Sequence, residues 1–221
     1  MKLNAKQLRD VKEEDITEKL KSIKRRSIYF ILENIYDTYN IGGLFRLADA
    51  LAIEKIYLCG ETEIPPNSRI KKASIGTYKV VPWEYAKSAK DVIEKLHSSV
   101  ILTLSETKWK NLAKRNVREQ SSLDPSATSL PQDDKRIQII AVEQHPKAIN
   151  FTDSVYSLPL ALIFGNETSG ITKETIKLAD AIVEIPMWGI NKSLNVIVSA
   201  AIVSYWIVKS EKWAVSSLVK N

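Results

Sequence analysis

Leu160-Ala161-Leu162-Ile163-Phe164-Gly165-Asn166-Glu167-Thr168-Ser169-Gly170 and Glu184-Ile185-Pro186-Met187-Trp188-Gly189-Ile190-Asn191-Lys192-Ser193-Leu194-Asn195 decide how this chain reads. Each is an apolar run that breaks into a turn rich in Gly, Asn and Ser and then enters a helical pattern. A short apolar run bounded by such turns reads as a buried strand. Two strand-to-helix turns close together late in the chain predict one ligand pocket, because ligands in open α/β sheets bind outside the carboxyl ends of the strands.

Working outward, Ile28-Tyr29-Phe30-Ile31-Leu32 is a clean strand signal. A helix follows over 41–51, with apolar residues at 41, 44, 45, 47, 48 and 51, and then a strand at Lys55–Cys59. Such a strand–helix–strand unit calls for a parallel sheet with a right-handed crossover. Residues 61–72 read as loop, Val80-Val81 as a short strand and Ser88–His97 as a helix. Strands at Val100–Leu104, Ile137–Val142 and Ile182–Ile185 and helices at Thr172–Ala179 and Ser193–Lys209 complete the order. The alternation predicts an α/β class, a parallel sheet flanked by helices. Residues 105–136, polar and carrying Pro125 and Pro131, read as a mobile surface insertion, helical near 109–118. Residues 1–26 read as a basic extension, nine Lys or Arg against five acids, ahead of a catalytic domain over 27–221.

The 221 residues suit one domain with appendages, and 44% apolar content supplies a core. A net charge of +6 favours an anionic partner, nucleic acid first. The single cysteine, Cys59, excludes a disulfide framework and reads as a small core residue. The charged N-terminus lacks an apolar leader, and Val196–Val208 falls short of the ~20 residues that cross a bilayer. The expectation is a cytoplasmic protein with no membrane association.

Several residues stand out chemically. Gly165 and Gly170 are spaced as in a phosphate-binding loop, but Ile171 stands where that loop needs Lys. No GxGxxG follows the first strand, so a dinucleotide site falls away too. Glu167 remains, an acid among glycines at a strand end. Asn40 reads as the N-cap of the first long helix. Gly42 and Gly43 in its first turn each cost roughly 1 kcal/mol relative to Ala, reasonable where a backbone or ligand must come close. Pro186 ends its strand and frees the loop 186–192, and Ser193 reads as the cap of the last helix. His97 and His145 are isolated, so no metal is expected.

These segments together resemble the SpoU branch of the SPOUT methyltransferases, which 2′-O-methylate RNA. Asn40, Gly42 and Arg46 match its first motif, N-x-G-x-x-x-R. Gly165, Asn166, Glu167 and Gly170 match its G-N-E-x-x-G motif. Ile185, Pro186 and Met187, then Ser193, Leu194 and Asn195, match the I-P-M and S-L-N elements of its third. Lys72-Ala73-Ser74-Ile75-Gly76 is similar to the segment between the first two. The resemblance implies S-adenosylmethionine as methyl donor, a trefoil knot in the C-terminal part of the sheet, and a homodimer whose active site draws on both chains. It implies that Gly165, Asn166, Ile185, Met187, Ser193 and Leu194 line the cofactor pocket. It makes Arg46 the catalytic arginine, supported by Asn40, Glu167, Ser193 and Asn195, with Asn40 and Glu167 orienting it. Lys24, Arg25 and Arg26 join Arg46 as expected RNA contacts. A small catalytic domain with short extensions suits a tRNA guanosine; rRNA and a non-catalytic RNA-binding knot protein are the alternatives. Leu47 and Ile53 depart from the family's Thr and Gly and read as structural.

Overall fold

The computed structural model describes residues 4–10, 23–98 and 136–218. The strand expected at 100–104 and the insertion expected at 105–136 lie outside the described residues, apart from Arg136. The elements run α1 (Ala5–Asp10), β1 (Arg26–Glu33), α2 (Thr38–Leu51), β2 (Ile53–Cys59), α3 (Ser68–Ser74), β3 (Trp83–Ala86) and α4 (89–98). They continue β4 (Gln138–Val142), β5 (Ile149–Asn150), β6 (Leu160–Phe164), α5 (Lys173–Ile176), β7 (Ala181–Glu184) and α6 (Val196–Leu218).

Seven strands form one sheet in the order β3-β2-β1-β6-β4-β7-β5, every pairing parallel. β1 carries an unbroken apolar run because it lies inside the sheet and is covered on both faces. Its side chains alternate. Ile28, Phe30 and Leu32 join one core with Leu44, Phe45 and Ala48 of α2 and Ala200 and Val203 of α6. Ile31 joins the other, with Val92, Ile93 and Leu96 of α4. β6 divides likewise, and the Phe30 and Phe164 rings meet edge to face at 5.4 Å. Since all strands run one way, their carboxyl ends share one edge, and β6 lies between β1 and β4 where the strand order reverses. That edge is where a ligand belongs.

Local details depart from the sequence reading. Asp37, not Asn40, caps α2, its carboxylate accepting the Tyr39 N–H at 2.8 Å. Residues 68–72, expected as loop, belong to α3, because the Asn67 side chain accepts the N–H groups of Arg69 and Ile70. Val80-Val81 is no strand. It follows a 3₁₀ turn at Thr77–Lys79, buries both valines, and leaves β3 to the next segment. α5 spans four residues rather than eight. Cys59 is buried as expected, and burial, with Glu33 as the next cause, pushes its thiol up to about 12. Among the described residues no helix is long and apolar enough to cross a membrane.

The paired glycines of α2 serve close helix approach. A Cβ on Gly42 would stand 2.4 Å from Ala73 Cβ and 2.8 Å from Ser74 N, so α3 crosses there almost backbone to backbone. A Cβ on Gly43 would meet Ile197 Cδ1 at 2.3 Å, the far end of a side chain that can turn away. Gly42→Ala is therefore expected to lower stability by about 1–3 kcal/mol, through overpacking that has no flexible outlet. Gly43→Ala is expected to stay within about 1 kcal/mol of wild type, helix propensity offsetting the rearrangement. Urea unfolding midpoints compare the two; equal losses would overturn the contrast.

α2 ends at Ala52, in the left-handed region at φ 52°, whose N–H closes on the carbonyls of Ala48 and Asp49. The position that favours glycine is thus Ala52 and not Ile53, which begins β2 fully buried. Ala52→Gly is expected to raise stability by about 0.5–1 kcal/mol by relieving the Cβ clash of that conformation. A thermal midpoint unchanged or lowered would refute this.

Candidate functional site

The ends of β4, β6 and β7 and the approach to α6 enclose one cleft. β4 contributes Val142, Glu143 and Gln144, and β6 contributes Phe164, Gly165, Asn166 and Glu167. Glu184, Ile185 and Met187 follow β7, and Lys192, Ser193, Leu194, Val196 and Ser199 lead into α6. All six residues expected at a cofactor pocket, Gly165, Asn166, Ile185, Met187, Ser193 and Leu194, line it. The turns after β6 and β7 face one pocket.

The turn after β6 is a closed ring. Asn166 Oδ1 accepts the N–H groups of Thr168 and Ser169 at 2.8 and 2.9 Å, and Asn166 Nδ2 donates to the Asn34 carbonyl at 2.9 Å. Asn166 and Gly170 exchange both backbone hydrogen bonds. A Cβ on Gly165 would lie 2.4 Å from backbone atoms of Gly170 and Ile171, so no side chain fits there. Two carboxylates clamp the ring. Glu143 Oε2 accepts the Ile171 N–H at 3.0 Å, and buried Glu33 accepts the Thr172 N–H at 2.8 Å and the Thr175 hydroxyl at 2.6 Å. Sequence reasoning missed Glu33, Glu143 and Gln144. Their one signal was position, each ending or following an apolar strand on the ligand-facing edge.

Three residues from three separate segments form a hydrogen-bonded chain beside this cleft. Asn40 Nδ2 donates to Glu167 Oε1 at 2.6 Å, and Asn195 Nδ2 donates to Asn40 Oδ1 at 2.9 Å. Asn195 Oδ1 accepts the Ile197 N–H at 2.9 Å. Asn40 is buried between its partners, and this is why it does not cap α2: its amide is already engaged on both sides. Asn195 rather than Ser193 serves as the cap of α6, which starts at Val196; Ser193 stays in the exposed loop that lines the cleft.

Arg46 stands apart. It is exposed, and no hydrogen bond or ion pair joins it to any described residue. The orientation by Asn40 and Glu167 that the resemblance implies is absent within the chain. Six residues along an α-helix carry Arg46 about 120° round the axis from Asn40. Arg25, expected as an RNA contact, is also engaged within the chain. Its guanidinium donates to the carbonyls of Ile53 at 3.0 Å and Val80 at 2.6 Å, and burial lowers its pKa against the opposing pull of Asp49 and Glu54. It ties β1 to the β2 and β3 edge. Lys24 is exposed, whereas Arg26 is half-buried at the start of β1.

Residues 27–123 and 114–205 match the model of the SpoU rRNA Methylase family. The tRNA (guanosine(18)-2′-O)-methyltransferase of Borreliella burgdorferi is 26% identical over 191 residues, covering 85% of this chain and 69% of that protein. The enzyme of that name from Thermus thermophilus is 27% identical over 175 residues, covering 79% and 71%. The one from Escherichia coli K12 is 23% identical over 174 residues, covering 79% and 59%, so this chain spans well short of its relatives' full lengths. Among solved structures, the SpoU methyltransferase AviRb from Streptomyces viridochromogenes with the cofactor AdoMet aligns at TM-score 0.62 and 21% identity, over 86% of this chain and 60% of that one. The A. aeolicus TrmH/SpoU tRNA modifying enzyme aligns at 0.59 and 20%, over 95% and 83%. At these identities the structural likeness carries the fold.

Proposed function

Because this chain belongs to the SpoU rRNA Methylase family, we propose that it transfers a methyl group from S-adenosylmethionine to a ribose 2′-hydroxyl of RNA, that of a tRNA guanosine. The observation that carries the proposal is the Asn195–Asn40–Glu167 chain, which joins all three motif segments, with Glu167 lining the cleft. The tRNA guanosine-18 methyltransferases among its relatives support the choice of tRNA.

The cleft suits this donor. Phe164, Ile185, Met187, Leu194 and Val196 offer apolar contact to a purine, and three carboxylates, Glu143, Glu167 and Glu184, face one cation, Lys192. An excess of acids welcomes the sulfonium and ammonium of S-adenosylmethionine and repels a triphosphate, which also disfavours ATP. When bound, the cofactor supplies an electrophilic methyl group. The chain's own residues supply alignment, which is the main demand when the nucleophile is a weak alcohol. A guanidinium is a planar fork of hydrogen-bond donors suited to phosphate, so Arg46 binds the phosphate beside the target ribose and sets the hydroxyl in line.

The isolation of Arg46 from the Asn40 network fits a site completed by a second copy of the chain. Trp188 (92% exposed), Ile190 and, on α6, Val198 and Tyr205 give an apolar surface that such a homodimer would cover. The trefoil knot goes with this reading, supported by the fold likeness to SpoU enzymes. An RNA substrate goes with a cytoplasmic location.

The test is transfer of labelled methyl from S-adenosylmethionine to total tRNA and, separately, to rRNA lacking the modification, followed by nucleoside mapping. Labelled 2′-O-methylguanosine in tRNA is the expected product. Label only in rRNA would replace the substrate, and failure to bind S-adenosylmethionine would remove the reading.

A further inference from the structure

We propose that the cleft between the first turn of α2 and the start of α3 docks a single-stranded RNA nucleotide adjoining the one to be methylated, with Tyr36 and Tyr39 stacking its base and Arg69 holding its phosphate. The nucleotide's place beside the methylated one rests on the methyltransferase reading; its docking rests on the cleft itself.

Tyrosine usually buries its ring and leaves only the hydroxyl wet. Here Tyr36 is 53% exposed and Tyr39 55%, and both line one cleft of about 290 Å³. That volume takes a nucleoside. The rings are also held in place. Tyr36 Oη donates to Glu61 Oε2 at 2.6 Å, and the Glu61 N–H donates to Asn34 Oδ1 at 3.0 Å. The Asn34 carbonyl in turn accepts Asn166 Nδ2 at 2.9 Å. Tyr36 is thus linked by hydrogen bonds to the turn that carries Glu167. Tyr39 immediately precedes Asn40 and has its N–H held by Asp37 at 2.8 Å. A base in the cleft sits one residue of α2 from the Asn195–Asn40–Glu167 chain.

Charge selects the occupant. Arg69 lines the cleft, and Lys71 and Lys72 lie exposed further along α3; none of the three has an ion-pair partner among the described residues. The acids on this side are Asp37, Glu61 and Glu63. Asp37, which also caps α2, and Glu63 line the cleft, and Glu61 accepts the Tyr36 hydroxyl beside it. Exposed rings lining a nucleotide-sized cleft, with Arg69 beside them and Lys71 and Lys72 further along α3, match single-stranded nucleic acid, whose bases stack on aromatic side chains while its backbone follows positive charge. Asp37 and Glu63 disfavour a continuous phosphate run through the cleft, so one inserted base with its phosphate toward Arg69 is the arrangement that fits.

Fluorescence anisotropy with an unmodified tRNA transcript and a single-stranded RNA oligonucleotide tests this, alongside methyl-transfer kinetics. Tyr36→Ala/Tyr39→Ala is expected to weaken RNA binding ~10-fold or more, the loss of a base–aromatic stack. Tyr36→Phe/Tyr39→Phe is expected to stay within twofold, because the ring and not the hydroxyl carries the contact. Arg69→Ala should weaken binding and reduce the salt dependence by about one counterion. Thermal unfolding and S-adenosylmethionine affinity should not move in any of these variants. RNA affinity within twofold of wild type in a folded Tyr36→Ala/Tyr39→Ala protein would overturn the proposal, as would an equal loss in the Phe variant. Wild-type protein that binds RNA through the tyrosines but transfers no methyl would sink the methyltransferase reading and leave the docking site standing. Transfer with unchanged KM for RNA in the double Ala variant would do the reverse.

Discussion

Arg46→Ala is expected to lower methyl transfer by at least ~10³-fold, the scale of lost alignment and charge stabilisation, while S-adenosylmethionine binds within twofold of wild type. The side chain is exposed and bonded to nothing among the described residues, so its removal leaves no buried group unpaired and should not alter folding. It does not line the cleft proposed for the cofactor. Single-turnover transfer and calorimetric titration of the cofactor separate the two effects. Transfer within a few-fold of wild type would show that Arg46 has no part in the reaction.

The separation of Arg46 from Asn40 gives this prediction a second arm. If the arginine serves the partner's site, mixing inactive Arg46→Ala and Asn40→Ala proteins restores about a quarter of wild-type activity, since half the symmetric dimers are mixed and each mixed dimer holds one intact site. Subunit exchange without recovered activity would place Arg46 in its own chain's site.

Asn40→Ala is the second large effect. The amide donates to Glu167 at 2.6 Å and accepts from Asn195 at 2.9 Å, and it does so in a buried position. Its loss removes a bond to a carboxylate and a neutral one, and about 1–3 kcal/mol of stability should go with them. Methyl transfer should fall ~10²-fold, because Glu167 and Asn195 lose the group that holds β6's turn and the α6 cap in one frame. Asn40→Asp sharpens the test. It sets a second carboxylate against Glu167, so the pair shares a proton and one member's pKa rises. The protonated pair can donate as the amide did. Activity of this variant should therefore increase as pH falls through the raised pKa, opposite to a simple need for a deprotonated group. Asn40→Ala activity within threefold of wild type, or a flat pH response in Asn40→Asp, would show that the network is only structural.

The chain's order of elements was legible because buried parallel strands write unbroken apolar runs, as in β1 and β6, and amphipathic helices write a period, as in α2. Gly42 was legible as a place of close approach, but not that α3 is what approaches, nor that the turn's own returning backbone closes on Gly165. Short-range capping was misread where a side chain had a distant partner. Asn40 and Ser193 are good caps by type, yet Asn40 is claimed by residues 127 and 155 positions away, and Asn195 takes the cap of α6. Arg25 lies in a basic run and read as an RNA contact; only the fold shows that its guanidinium also holds two backbone carbonyls. By itself, then, the sequence determined the class, the strand-end location of the candidate cleft and six of the residues that line it, since these depend on local pattern and on the common direction of parallel strands. Only the tertiary structure decided which of those residues bond to one another, that Glu33 and Glu143 clamp the turn, and that Arg46 stands apart. Those depend on distances between segments far apart in the chain, which no local pattern encodes.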